Sequence, residues 1–383
     1  MLRIFDCSLE SFRENIKEKK LYIWGGGNRA ELCYKEWGIK ENVAAIVDNN
    51  EKMWNKGWHI DKQITCINKE KLITDVCMYG VNNCVLLITS VFYAMDIIEE
   101  LDEIDSLNGL ETYTASLLSE YYMPQRFEFT KGIQKIPKKI HYCWFGGEEI
   151  PDRLQKYMET WKQFCPDYSL IRWDESNYDI TKNDYMHEAY CAGKYGFVPD
   201  YARLDIVYNH GGIYLDTDVE LCRNLDALLC DNSFFSVDFE ECVNAGSGFG
   251  AVEYNPIIGE MRKVYDNEHF INGDGSLNLK PCHHYQNPVL KKHGFEITQR
   301  YQKIEGNVLY PCEVLSPIAT YSGVERITEK THSIHRAELS WISESERAAR
   351  ERFRDRIGCR MNRNCEPLVL ENENELCDIW SRL

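Results

Sequence analysis

Apolar and polar positions along the chain fall into short runs of two different periods. Leu21-Tyr22-Ile23-Trp24, Val43-Ala44-Ala45-Ile46-Val47 and, ending on a threonine, Val85-Leu86-Leu87-Ile88-Thr89 are apolar runs of strand length. Runs of this kind suit strands covered on both faces of a parallel sheet. The first is followed by Gly25-Gly26-Gly27-Asn28-Arg29-Ala30 and a helix predicted through Trp37. The second ends in Asp48, and a helix is expected after the third. Strands alternating with helices predict β-α-β units, so residues 1–125 are expected to be a small Rossmann-like α/β domain. A polar connector with one amphipathic piece near Tyr113 to Tyr122 is expected over about 104–130.

Beyond the connector a second α/β domain is expected over 130–383. Ile140-His141-Tyr142-Cys143 is its opening strand and runs into Trp144, Gly146 and Gly147. Leu154, Tyr157, Met158, Trp161 and Cys165 recur at helical spacing after Pro151 and mark a core-facing stripe. Leu170-Ile171-Arg172-Trp173 is the next strand.

The most informative stretch is Val198–Glu220. Pro199 and Asp200 are helix start signals, and Gly211 with Gly212 are stop signals. Leu204, Val207 and Tyr208 give that helix an apolar stripe, while Asp200 and Arg203, three apart, share a face. Ile213 to Asp216 then alternates, with Ile213 and Leu215 on one face and Tyr214, Asp216 and Asp218 on the other. Two carboxylates one residue apart at a strand's end suit a divalent cation that bridges to phosphate oxygens. An arginine beside them suits a diphosphate, which its planar fork matches.

Composition narrows the partners. A net charge of −17 over 383 residues argues against nucleic acid, whose phosphates require lysine and arginine. Aromatic residues make up 12% of the chain, enough for clefts that take flat bases and sugar rings as well as for cores. The 16 cysteines are scattered without zinc-like spacing, which fits a reducing compartment, and Cys282-His283-His284 lacks spaced partners for a metal cluster. No run of about 18 apolar residues occurs, and the N-terminus has no apolar segment of signal-peptide length, so a cytoplasmic protein is expected. In the first domain, Gly25 and Gly27 with Asp48 about 20 residues on are candidate cofactor-binding residues, the glycines letting a pyrophosphate approach a helix N-terminus. The alternative is that these glycines only make a tight turn. No residue set for hydride transfer accompanies them.

The series Asp-x-x-Arg, Gly-Gly-x-Tyr-x-Asp-x-Asp, filled here by Asp200, Arg203, Gly211, Gly212, Tyr214, Asp216 and Asp218, resembles the signature of the family 32 sugar-nucleotide glycosyltransferases. That family includes capsular polysaccharide enzymes, and the series is more distantly similar to the catalytic domain of the large glucosylating toxins. The resemblance covers about residues 136–342. It extends to the opening Ile136-Pro137-Lys138-Lys139-Ile140-His141 and to His335 followed five residues later by Ser340-Trp341.

The resemblance implies a GT-A type nucleotide-sugar domain and a retaining, metal-dependent transfer of a sugar from a nucleotide-sugar donor, UDP being favoured. It implies Mn²⁺, or Mg²⁺, on Asp216, Asp218 and His335, with Asp200 on the donor sugar's hydroxyls, Arg203 on the diphosphate and Tyr214 near the donor. Trp144 then stacks on the base or packs in the core. Gln286-Asn287-Pro288 stands where the family has Thr-Gly-Pro, which makes Asn287 a donor-binding candidate, and Ser340 and Trp341 close over the diphosphate. The acceptor is a saccharide or lipid-linked saccharide. An Arg-rich tail after Glu344 is either a solvated helix or a contact with the inner face of an anionic membrane. A toxin-like protein glycosyltransferase and a non-catalytic nucleotide-sugar sensor are the competing functions.

Overall fold

The computed structural model describes residues 1–90, 93–122, 124–239, 242–319, 323, 325–336, 348, 351 and 355–357. The chain divides into two compact units, residues 1–121 with 321–323 and 344–383, and residues 122–320 with 324–343.

In the first unit the three apolar runs form the strands Lys20–Trp24, Val43–Val47 and Cys84–Ile88. They belong to an all-parallel sheet ordered Arg3–Ile4, Glu111–Thr114, Cys84–Ile88, Lys20–Trp24, Val43–Val47, Thr65–Ile67. From Lys20–Trp24 the chain builds outward on one side and later returns to build on the other, which is the doubly wound arrangement. Ile23, Ile46 and Leu87 pack with Phe12 and Trp58 in its core.

The connector expected from about residue 104 is corrected. Glu111–Thr114 is a strand of this sheet and Ala115–Ser119 a buried helical turn. Threonines hide the strand from a hydropathy pattern. Thr112 is buried with its hydroxyl donating to Leu110 O at 3.2 Å, and the Thr114 hydroxyl accepts the Leu117 N–H at 3.2 Å. Of the Arg-rich tail, Arg356 is described. Its guanidinium pairs with Glu99 and with Asp96, the latter at 2.7 Å, within the first unit. Most of the tail lies outside the described residues.

The second unit is built on a mixed sheet ordered Gln302–Ile304, Asn307–Tyr310, Ser233–Ser236, Phe249–Ala251, Gly212–Tyr214, Lys139–Cys143, Ser169–Trp173. The last three strands are mutually parallel, so their carboxyl ends emerge at one edge. The helix Pro199–His210 packs on one face with Tyr214 and Phe249. Trp161, from the stripe of the helix Asp152–Phe164, packs on the other face with Ile213 and Leu215. The predicted alternation of Ile213, Tyr214 and Leu215 is therefore what the sheet uses.

The helix Pro199–His210 begins with proline in its first turn and ends at Gly211, which has φ 57°. Gly212 follows with φ 106°, and a Cβ there would lie 2.9 Å from Lys139 O, so backbone conformation and close packing both call for glycine. The helix is buried from Asp200 through Val207, wider than the stripe predicted for it, because it lies between the sheet and the helix Pro256–Val264.

The two aspartates beyond this strand require a second correction. The strand ends at Tyr214, and Asp216 to Asp218 lie in a turn closed by Val219 N–H donating to Asp216 O at 3.1 Å. Strand alternation therefore does not set where the Asp218 side chain lies. From Val219 the chain enters a separate antiparallel ribbon, Val219–Leu221 against Ser333–His335.

Candidate functional site

Two groups of side chains meet where the turn leaves the sheet. The first is anchored on the helix Pro199–His210. Asp200 and Arg203, one turn apart, are almost fully buried, and Arg203 Nη2 lies 3.1 Å from Asp200 Oδ1 and 3.7 Å from Asp216 Oδ1. Arg203 Nε donates to Pro199 O at 3.1 Å, and its guanidinium carbon stands 5.1 Å from the centre of the Tyr214 ring. The Tyr214 hydroxyl donates to Asp216 Oδ1 at 2.8 Å. These contacts fix the guanidinium between two carboxylates and above an aromatic face.

The second group is the turn itself together with the ribbon. Asp216, Asp218 and His335 each offer a ligand atom, and these atoms all lie within 4.8 Å of one another. His335 Nε2 is 3.4 Å from Asp218 Oδ1. Two carboxylates and an imidazole, all half-buried and converging, form a donor set that fits a divalent cation. It is the one such cluster among the described residues, and Cys282, His283 and His284 are not part of it.

Electrostatics follow from burial. The Asp200 carboxyl is pushed up to about 7, first by burial, with Arg203 drawing it down and Asp216 adding to the rise. Arg203 keeps its charge, since the carboxylates and Tyr214 together outweigh its burial. Burial disfavours the charged form of His335, yet Asp218 beside it moves the imidazole upward overall.

The glycine-rich loop over residues 243–248 lies against the turn. Gly246 O accepts the Asp216 N–H at 3.1 Å, and a Cβ on Gly246 would fall 2.2 Å from Asp216 Oδ2. The loop is held by Asn244, whose Oδ1 accepts the Gly246 N–H at 2.9 Å, and by Asn287, whose Oδ1 accepts the Val243 N–H at 3.1 Å. Asn287 thus braces the loop beside the turn.

Trp144 lies just past the strand Lys139–Cys143, half-buried, with its ring N–H donating to Glu148 O at 2.7 Å. It leaves the sheet at the same edge as Tyr214, because the two strands are parallel. His141 is a buried core residue. Its Nε2 pairs with Gly211 O at 2.8 Å and its Nδ1 accepts from Trp173 at 3.1 Å, and burial lowers its pKa to about 4. Ser340 and Trp341 lie outside the described residues.

In the first unit Gly25 has φ 94°, and Gly27 caps the helix Asn28–Glu36 with open space where a Cβ would point. The Asp48 carboxylate accepts the Gly26 N–H at 3.2 Å and the Asn50 N–H at 2.8 Å. Asp48 therefore braces the glycine turn, a use that its spacing alone does not reveal.

Comparison with known proteins places the turn in a recognised region. Residues 151–235 match the family described as glycosyltransferase sugar-binding region containing DXD motif. The chain is 37% identical over 101 residues to inositol phosphoceramide mannosyltransferase 3 of Schizosaccharomyces pombe, covering 24% of this chain and 27% of that protein. It is 30% identical over 156 residues to the mannosyl phosphorylinositol ceramide synthase of Saccharomyces cerevisiae, covering 40% of this chain and 38% of that one. The chain thus spans well under half the length of these relatives. A solved glycosyltransferase involved in glycosylation of the PBCV-1 major capsid is 14% identical, with 56% of this chain and 98% of that one covered and a TM-score of 0.30. Residues 151–235 are therefore similar to a DXD-containing sugar-binding region of glycosyltransferases, and the unit that holds them is an α/β domain.

Proposed function

We propose that this protein is a metal-dependent, retaining glycosyltransferase that moves a sugar from a UDP-linked donor to a saccharide or lipid-linked saccharide acceptor in capsule or exopolysaccharide synthesis. One observation carries the reading. Within or adjoining the matched region, Asp200, Arg203, Tyr214 and Asp216 form one linked set, and Asp218 and His335 join it with ligand atoms within 4.8 Å.

Asp216, Asp218 and His335 would hold the divalent ion. An imidazole in the set favours Mn²⁺ over Mg²⁺, which takes oxygen ligands and keeps its waters. When bound, the ion supplies Lewis-acid neutralisation of the departing diphosphate. Arg203 adds a fixed positive charge that needs no reorganisation as the leaving group gains charge. Tyr214 holds Asp216 in place through its hydroxyl and supports the guanidinium with its ring. Asp200 accepts hydrogen bonds from the donor sugar in its ionised form, and Trp144 stacks on the base at the same sheet edge. Asn287 acts through the loop that it braces, and Ser340 and Trp341 close the donor site.

In the first unit Gly25, Gly27 and Asp48 are proposed to receive a nucleotide, supported by the open space at Gly27. The described cysteines are all free thiols, which suits a reducing, cytoplasmic compartment, and contact with the inner face of the membrane is part of the proposal. Among the described residues no helix is long and apolar enough to cross a membrane. The names of the yeast relatives add mannose to the sugars to be tested.

The test is a panel of UDP- and GDP-sugars scored for Mn²⁺-dependent donor hydrolysis and for transfer to saccharide acceptors. Asp218→Asn should lose nearly all turnover, with the Tm of the wild type retained. Near-normal turnover of that variant with metal supplied would end the assignment. Binding of a sugar nucleotide without hydrolysis would favour a sensor, and transfer to protein would favour the toxin-like reading.

A further inference from the structure

We propose that Glu220 and Arg336 form a latch that holds His335 against the Asp216–Asp218 turn, and that both are positioning residues for the divalent cation. The proposal rests on the reading of Asp216, Asp218 and His335 as its ligands.

His335 is remote in sequence from the two aspartates and is brought beside them by the ribbon. Val219 pairs with His335, Glu220 with Ile334 and Leu221 with Ser333. Backbone bonds extend the ribbon at both ends, Arg336 N–H to Asp218 O at 3.0 Å and Cys222 N–H to His332 O at 2.9 Å. So short a two-stranded piece is marginal by its own hydrogen bonds.

Side chains then decide how firmly it closes. Residues paired directly across a ladder share a face, as do residues two apart on one strand. Glu220 and Ile334 therefore stand on one face and His335 on the other, and the Arg336 side chain, just past the strand, reaches Glu220. The Arg336 guanidinium donates to Glu220 Oε2 through Nε at 2.9 Å and Nη2 at 2.6 Å. Glu325 Oε1 stands 3.9 Å from Nη1 of the same arginine.

Arg336 is the next residue after His335, and Glu220 lies two residues after Asp218. Their bond therefore ties the backbones that carry two of the three ligands. Glu220 and Arg336 are each 30% exposed, so their pairing adds little to global stability. It acts instead on the local equilibrium of a three-pair ladder, where a small contribution changes how often His335 is in place.

The experiment is Mn²⁺ binding to the full chain by electron paramagnetic resonance, with Tm measured alongside. Glu220→Gln and Arg336→Gln should each weaken Mn²⁺ about three- to fivefold at unchanged Tm. The double variant should be no weaker than either single one, since both remove the same bond. Arg336→Lys should recover part of the loss, and high salt should narrow the gap between wild type and variants. Singles that bind like wild type, additive losses in the double variant, or losses that follow a fall in Tm would overturn the latch. The Asp218→Asn variant separates the two levels. If it binds Mn²⁺ as the wild type does, the ligand assignment falls and the latch with it. If it loses Mn²⁺ while Glu220→Gln does not, the latch alone falls.

Discussion

Asp200 is a carboxyl whose chemistry its surroundings alter strongly. In the folded chain its carboxyl sits at about 7, against 3.8 when unperturbed, with burial as the largest cause. The folded state therefore binds this proton more tightly than the unfolded state. Its contribution to stability is fully present below the unfolded value and is lost as pH rises toward the folded one. Asp200→Asn cannot titrate, so between about pH 4 and pH 7 its unfolding free energy should fall less steeply with rising pH than that of the wild type. Urea unfolding at a series of pH values measures this, and equal slopes would mean that the carboxyl is not perturbed. The pairing of Asp200 with Arg203 is readable from their spacing on one helix. The burial that alters Asp200 is not, because the residues covering that face, Tyr185 and Tyr265 among them, come from other parts of the chain.

Among the elements, loops decide more than strands. The acidic pair sits on a turn, and the Gly246 loop presses against it. Gly246→Ala would put a methyl 2.2 Å from Asp216 Oδ2 in the present geometry, so the carboxylate must move. Relief to an ordinary contact takes a shift of about 1 Å, and a misplacement of about 1 Å in a catalytic group can cost about 100-fold in kcat. Steady-state kinetics should find that loss, and weaker Mn²⁺ binding should accompany it. In the first unit Gly27 has φ −81° and open space ahead of its Cβ position, so Gly27→Ala meets no clash and should lower Tm only slightly, through alanine's poorer capping of the helix. If that turn holds a pyrophosphate, the methyl would intrude on it. Calorimetric titration with NAD and UDP in an Asp218→Asn background should then show weaker binding, whereas unchanged binding would favour a structural turn. Glycines of both loops stand out in the sequence. Their separate reasons, contact with Asp216 in one and an open helix end in the other, appear when the neighbouring segments are in place.

At the scale of the whole molecule, a cation that binds the folded chain and not the unfolded one raises stability by mass action. Mn²⁺ at 100 times its Kd should add about 2.7 kcal/mol to the second unit. For a unit of this size, that raises Tm by roughly 5–10 °C in a thermal scan. Chelation should reverse the shift, and Asp218→Asn should lack it. The sequence by itself determined the α/β class, the glycine-ended helix Pro199–His210, the opposed faces of Ile213 and Tyr214, and the candidate residues from Asp200 to Asp218 with His335. All of these depend on spacing within a turn of helix, a strand or a short motif, or on a recognised pattern of residues. Tertiary structure alone decided that Thr112 and Thr114 lie inside a sheet, that Asp218 sits on a turn rather than a strand, that Gly246 touches Asp216, and that Arg336 bonds Glu220 beside the ribbon that brings in His335. Each of these depends on which distant segment closes against which, and that follows from the packing of the whole core rather than from the order of neighbouring residues.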